Sequence, residues 1–413
     1  MSGSMPETST FKMAKPWGWV IWVVQSFISL DLALHNRFRL PPRDLELLRD
    51  LPEGMGIILT PNHADETDFK VCMEISRLCG RRFLYMMNRE AFDEGFRTAG
   101  WWLQRLGAFS VERGGDTARA KQYALEVAKR GREVLVIFPE GEISYMNELV
   151  QPFKTGAVAI GMHAVVETRQ TRPDWTTYLV PLAIKYQYRQ PIRPLLEHRI
   201  QLMEQRLSRR LRGHELQMRL ALIVSELLHR QEIAHHLKPG SDRLAALGER
   251  VQEVRQAVLT QIEEKYTDAQ INTQSRTTDR TWQLSSYLRG LLTQGWQFMA
   301  EYRAQLLKDL ATLERVAQMG SWQPQYVDLD PTQERLAEMV LKLEREVYQI
   351  KRPRQLANRE IFLRIGEPID LGGYVAEHMK NAQAVRHRIA EELRDKIQAL
   401  IDAIAFPGAN EEA

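Results

Sequence analysis

The chain has 413 residues, more than one ordinary hydrophobic core organises, so two to three folding units are expected at about 150 residues each. With 44% hydrophobic and 26% charged residues it falls in the globular range, which excludes a wholly disordered or collagen-like chain. The balance of 56 basic against 53 acidic residues leaves only +3, so nucleic acid is not an expected partner; two cysteines exclude a disulfide scaffold and point to a reducing compartment.

No stretch reaches the roughly 20 apolar residues that cross a bilayer as a helix. The nearest is Trp17 to Leu30, preceded by Lys12 and Lys15 and interrupted by Gln25, Ser26 and Ser29. Trp17, Trp19 and Trp22 fall within six residues of one another, and tryptophan prefers the headgroup level of a membrane. The segment therefore reads as a helix lying in the interface, with residues 1–50 as a membrane-associated start. No small-residue cleavage site of the A-x-A type follows it, which argues against a signal peptide.

From residue 54 to 186 strand-like and helix-like segments alternate. Gly56–Thr60, Phe83–Met87, Phe109–Val111, Val134–Phe138 and Tyr178–Tyr186 read as short buried strands. Asp68–Leu78, Ala91–Leu106, Thr117–Lys129 and Thr155–Val166 read as helices between them. This alternation predicts an α/β unit over 51–191, a mostly parallel central sheet flanked by helices.

Over 192–355 the strand signal disappears and a large all-helical insertion is expected. Leu244, Leu247, Val251, Val254 and Val258 give a helical stripe with Ser241 as N-cap. Asp330-Pro331 starts another helix, whose stripe is Leu336, Met339, Leu343, Val347 and Ile350. Strand character returns at Ile361–Ile365 before the turn Gly366-Glu367-Pro368. A last long helix from Tyr374 to Ile404 then completes 356–413 as part of the α/β unit.

The loop after the first strand reads Pro61-Asn62-His63-Ala64-Asp65-Glu66-Thr67-Asp68. An aspartate five residues beyond a histidine, where a strand gives way to a helix, can fold back onto the imidazole and fix its tautomer. The other ring nitrogen is then free to take a proton. The spacing alone is weak, arising by chance about once in two chains of this composition, and Asp68 could equally cap the helix. Position favours chemistry, because open α/β sheets bind ligands beyond the carboxyl ends of their strands.

Three further segments stand in order behind it: Gly107-Ala108-Phe109-Ser110-Val111-Glu112-Arg113, Phe138-Pro139-Glu140-Gly141 and Val180-Pro181-Leu182. With Asn62-His63 and Asp68 they match N-H-x4-D, G-x-x-F-x-x-R, F-P-E-G and V-P-hydrophobic, and over 54–190 the chain resembles the glycerolipid acyltransferase family typified by lysophosphatidic acid acyltransferase. The resemblance implies acyl transfer from acyl-CoA or acyl-carrier protein to a lysophospholipid hydroxyl on the cytoplasmic face of a membrane. It makes His63 the general base and Asp68 its orienting partner. Asn62, Gly107, Phe109, Arg113, Phe138, Pro139, Glu140, Gly141 and Pro181 would line the substrate site, with Arg113 holding an anionic group. It requires no metal and no bound cofactor. A non-catalytic lipid-binding or scaffold protein is the alternative; an esterase is disfavoured because no G-x-S-x-G elbow is present.

The family commonly follows F-P-E-G with threonine, then arginine or asparagine, then serine; here Glu142, Ile143 and Ser144 stand there. An added carboxylate would repel a phosphomonoester, so the acceptor head group stays open, with lysophosphatidic acid ranked first. Cys72 and Cys79 read as core residues. His235 and His236 lack metal-ligand spacing, and Arg206, Arg209, Arg210 and Arg212 suit either anionic lipid or a solvated face.

Overall fold

The computed structural model describes residues 11–93, 98–115, 117–208, 214–238, 246–294, 300–323 and 331–404. The chain divides into two compact units: an α/β unit of 1–112, 116–187 and 360–413, and a helical unit of 113–115 and 188–359.

The α/β unit is built on one sheet. Its central strand β2 (Gly56–Pro61) is buried throughout, and alternate residues feed two different cores: Ile57 and Leu59 one, Ile58 the other. Two neighbours run parallel to it, β5 (Val134–Val136) with Leu135 opposite Ile58, and β6 (Thr177–Tyr188) with Leu179 opposite the same residue. Beyond β5 lie β3 (Phe83–Asn88) and β4 (Ala108–Val111), also parallel. With β1 (Asn36–Arg39) and β7 (Arg359–Ile365) the order is β1-β7-β6-β2-β5-β3-β4, and β8 (Ile369–Asp370) pairs antiparallel with β6. The mostly parallel sheet read from the sequence is the observed one.

Helices α3 (Asp68–Cys79), α5 (Ala118–Arg130) and α6 (Gly156–Thr168) connect the parallel strands. Cys72 and Cys79 are buried free thiols on α3. Gly131 ends α5 at φ +62°, and a Cβ there would come within 2.4 Å of the Gly54 backbone, so only glycine fits.

The helix expected over Ala91–Leu106 is instead a 3-10 turn, Arg89–Asp93, and a separate helix α4 (Thr98–Arg105). Gly100 backs onto the Phe92 carbonyl, where a Cβ would lie at 2.6 Å, so the two pieces stack rather than run on. The final helix is likewise divided at Asn381, whose φ of −150° breaks α13 (Val375–Lys380) and whose Oδ1 accepts from Ala384 N–H at 3.1 Å to start α14 (Ala382–Asp402). β1, β8 and the short helix α2 (Pro42–Arg49) had no clear signal.

Helix α1 (Gly18–His35) extends beyond the expected Trp17–Leu30, and by length and composition it is one helix that could cross a membrane. At 18 residues it is about 27 Å long. One side, with Val20, Ile28 and Leu32, is buried in the α/β unit. That side is pinned to α3: Gln25 Nε2 donates to Met73 O at 3.1 Å, Ser29 Oγ to Glu74 Oε1 at 3.3 Å, and Lys70 pairs with Asp31 at 2.8 Å.

The helical unit contains α7 (Arg193–Arg206), α8 (Leu216–Ala234), α9 (Leu247–Glu263), α10 (Thr277–Gln294), α11 (Ala300–Met319) and α12 (Gln333–Tyr348). Ile200, Leu228, Val251, Leu259, Leu313 and Leu343 share its core. Ser241, Leu244, Asp330, Arg209, Arg210 and Arg212 lie outside the described residues. Helix α12 starts later than expected, with Thr332 Oγ1 accepting from Arg335 N–H at 3.3 Å; of its stripe, Leu336, Met339, Leu343 and Val347 are buried while Ile350 is exposed. Charges between these helices are paired, as in Arg250–Glu232 at 2.8 Å and Arg219–Glu204 at 2.6 Å.

Candidate active site

Strands β2 and β5 are adjacent and parallel, so the loops at their carboxyl ends emerge side by side: Asn62–Thr67 after β2, and Phe138–Gly141 after β5. β6 is longer than its partner. Main-chain pairing with β2 ends at Pro61–Leu182, and Asn62 continues it with its side chain, Oδ1 accepting from Ile184 N–H at 2.7 Å and Nδ2 donating to Ile184 O at 3.0 Å. This buried amide fixes the loop at the residue before His63.

His63 is held at every level. Its N–H donates to Glu140 Oε1 at 2.7 Å, and its carbonyl accepts from Ser144 N–H at 2.8 Å and Ser144 Oγ at 3.1 Å. Its ring stacks on Phe138 with centroids 4.0 Å apart, and Nδ1 lies 2.9 Å from Asp68 Oδ2. The side chain keeps 17% of its exposure while Asp68 has none. Asp68 Oδ2 also accepts from Asp65 N–H at 2.9 Å, so this aspartate both closes the turn and orients the imidazole. Burial pushes the Asp68 carboxyl above its ordinary range, against the lowering effect of the His63 hydrogen bond. Burial also raises Glu140, to about 8.

The remaining candidates divide sharply. Phe138 touches the imidazole; Glu140 holds its backbone rather than open space. Pro139 O accepts from Lys154 N–H, and Gly141, at φ +81°, closes the loop by donating to Phe138 O at 3.1 Å. Gly107 and Phe109 are packed into the α/β unit. A Cβ on Gly107 (φ +93°) would meet Phe83 O at 2.9 Å, and Phe109 is fully buried against Phe11 and Tyr123. Pro181 sits mid-strand in β6, its carbonyl accepting from Gly366 N–H at 3.0 Å. Arg113 groups with the helical unit, its guanidinium 4.0 Å from the Trp282 ring centroid.

Two residues that the sequence did not single out as site candidates stand behind the pair. Tyr186 Oη donates to Asp68 Oδ1 at 2.5 Å, and Asn147 clamps the Tyr186 backbone, accepting from its N–H at 2.6 Å and donating to its carbonyl at 2.7 Å.

A carboxylate-backed imidazole at the carboxyl end of the central strand of a parallel α/β sheet has the geometry to pass a proton in a group-transfer or hydrolytic reaction. Residues 43–185 match the family described as Acyltransferase. Over 105 residues the chain is 30% identical to a protein of Streptococcus pneumoniae named 1-acyl-sn-glycerol-3-phosphate acyltransferase, a match covering 25% of this chain and 35% of that one. Within the α/β unit the chain is thus similar to acyltransferases, and it spans about a third of the length of the relative it matches.

Proposed function

We propose that this protein is a membrane-surface O-acyltransferase that moves a fatty acyl chain from an acyl thioester to the free hydroxyl of a lysophospholipid. The leading acceptor is 1-acyl-sn-glycerol-3-phosphate, which would give phosphatidic acid. The observation that carries the reading is the contact of His63 Nδ1 with the fully buried Asp68 carboxylate at 2.9 Å. With the Nδ1 proton held there, Nε2 takes the proton of the acceptor hydroxyl as its oxygen attacks the thioester carbonyl. When the C–S bond breaks, the imidazolium returns that proton to the leaving thiolate. The thioester, acyl-CoA or acyl-carrier protein, is a co-substrate, and these steps call on no resident metal or cofactor.

Arg113 is the candidate for holding the acceptor phosphate, on the strength of its motif. The half-buried Glu142 works against a doubly charged head group, so Glu142→Thr is expected to lower the apparent KM for lysophosphatidic acid. The exposed side of α1 supports residence on the membrane, with the active site on the cytoplasmic side where acyl thioesters are supplied.

The test is release of free thiol from acyl-CoA with a panel of lysophospholipids in detergent or vesicles. Wild type should be active, and His63→Ala should lose about 1,000-fold in kcat. Retention of the rate in His63→Ala removes the general base. A wild type that prefers an amine-bearing or uncharged lysolipid, and is weakened by Glu142→Thr, replaces lysophosphatidic acid as the acceptor.

A further inference from the structure

Both oxygens of Asp68 are committed. Oδ2 faces His63 Nδ1 and the Asp65 N–H, and Oδ1 accepts the Tyr186 hydroxyl at 2.5 Å. Tyr186 stands on β6, 118 residues further along the chain, and is buried. The fixed part of this contact is its backbone, gripped on N–H and C=O by the buried Asn147 side chain from the loop beyond Glu140. That same loop supplies Ser144, which holds the His63 carbonyl.

We propose that Tyr186 is a positioning residue for the His63–Asp68 pair. Its hydroxyl, set in place by the Asn147 clamp, fixes the carboxylate rotamer that turns Oδ2 to the imidazole and takes up part of its negative charge. The inference rests on reading His63 as the base, and it adds a third member that acts through Asp68. The groups facing Asp68 are His63 and Asp65 from its own loop, Cys72 one turn along α3, Glu140 from the loop after β5, and Tyr186 from β6. Asp65 and Glu140 are acids, and Cys72 is a thiol pushed up well above its ordinary range by burial. The Tyr186 donor opposes the cost of keeping a desolvated carboxylate charged.

Tyr186→Phe removes one oxygen and keeps the ring. A carboxylate that has lost a donor attracts a proton more strongly, directly or through the imidazolium it faces. The midpoint of proton uptake by the pair should therefore rise by about one pH unit. It is read on the His63 ring nitrogens by NMR of the full chain carrying 15N-histidine, with His63→Gln identifying the signal. In the thiol-release assay the acid limb of kcat should move up with it. At neutral pH kcat should fall by about tenfold while KM for acyl-CoA and lysophospholipid stays within about twofold. Replacing Tyr186 by 3-fluorotyrosine, a stronger donor of nearly the same size, should move the midpoint down.

A folded Tyr186→Phe protein with an unmoved midpoint overturns the proposal, as does a shift of the same sign for fluorotyrosine. If Tyr186→Phe does not fold, the fluorotyrosine protein decides. The NMR readout needs no turnover, so its result is separate from a failure of the acyl-transfer reading, which appears as an inactive wild type or an unaffected His63→Ala.

Discussion

Glu140 and Asp68 are two buried acids within one site, and they act on different parts of the same histidine. Asp68 meets the ring; Glu140 meets the backbone N–H that carries it. The second arrangement has a measurable consequence for stability. Burial moves Glu140 from 4.5 to about 8, so between these values the folded chain keeps a proton that the unfolded chain has released. The native state binds more protons there, and stability must fall as pH rises through this window, by at most about 1.4 kcal/mol per pH unit. Glu140→Gln keeps an oxygen to accept the His63 N–H and cannot ionise. Its loss of unfolding free energy between about pH 6 and pH 8, measured by urea titration, should be smaller than that of wild type by up to about 2 kcal/mol. An equal loss in both proteins would remove Glu140 as the titrating group.

At the same scale, what could be read from the sequence followed from chain distance. His63 and Asp68 are five apart, and their contact is a local turn that a motif can display. Tyr186 reaches the site because β6 lies beside β2 and overruns it, and Asn147 meets it there from the loop beyond Glu140; no spacing within a short segment encodes that. Gly107 and Phe109 illustrate the reverse: they stand in a functional motif, yet one makes room for the Phe83 carbonyl and the other fills the core. A motif records which residues keep a loop in place as well as which ones meet the substrate.

At the level of elements, α1 is apolar on both sides, with its larger side chains on the outer one. Its packed side uses Val20, Gln25, Ile28 and Leu32, while Trp19, Trp22, Phe27, Leu30 and Leu34 are all more than half exposed. A helix hydrogen-bonded along one side to α3 cannot also be surrounded by lipid, so lying in the interface fits it better than crossing. Helix α4 adds to this surface in a way its sequence did not announce. Trp101 and Trp102 are exposed; Trp101 packs edge-on against Trp17 at 5.6 Å, and Arg105 covers both Trp17 and Trp101 at 4.7 and 4.6 Å. The prediction is that tryptophan fluorescence shifts to the blue when liposomes are added. Trp101→Ser with Trp102→Ser should weaken partition into vesicles by about tenfold while leaving the circular dichroism spectrum intact. Undiminished partition of that double variant would confine the membrane contact to α1.

For the whole molecule, the strand-helix alternation gave away the α/β unit because each period is local, and the loss of strand signal gave away the insertion. The break at Asn381 was hidden, since it interrupts a helical pattern whose hydrophobic spacing continues across it. The ends of the insertion are now seen to meet: Arg189 N–H donates to Asn358 O at 3.2 Å. Replacing residues 189–358 by a few glycines and serines should therefore leave an α/β protein that unfolds cooperatively in urea. A gradual, non-cooperative loss of ellipticity would show that this unit needs the helices to fold.

That one backbone bond also bears on the order in which the chain can assemble. β6 and β7 are sheet neighbours separated by an excursion of roughly 170 residues. Closing such a loop while it is unstructured costs about 3 kcal/mol more in chain entropy than closing a tight turn. Helices formed first, from contacts close in sequence, would deliver their two ends already side by side. For the sheet, β7 would then arrive as though joined to β6 by a hairpin-length connection.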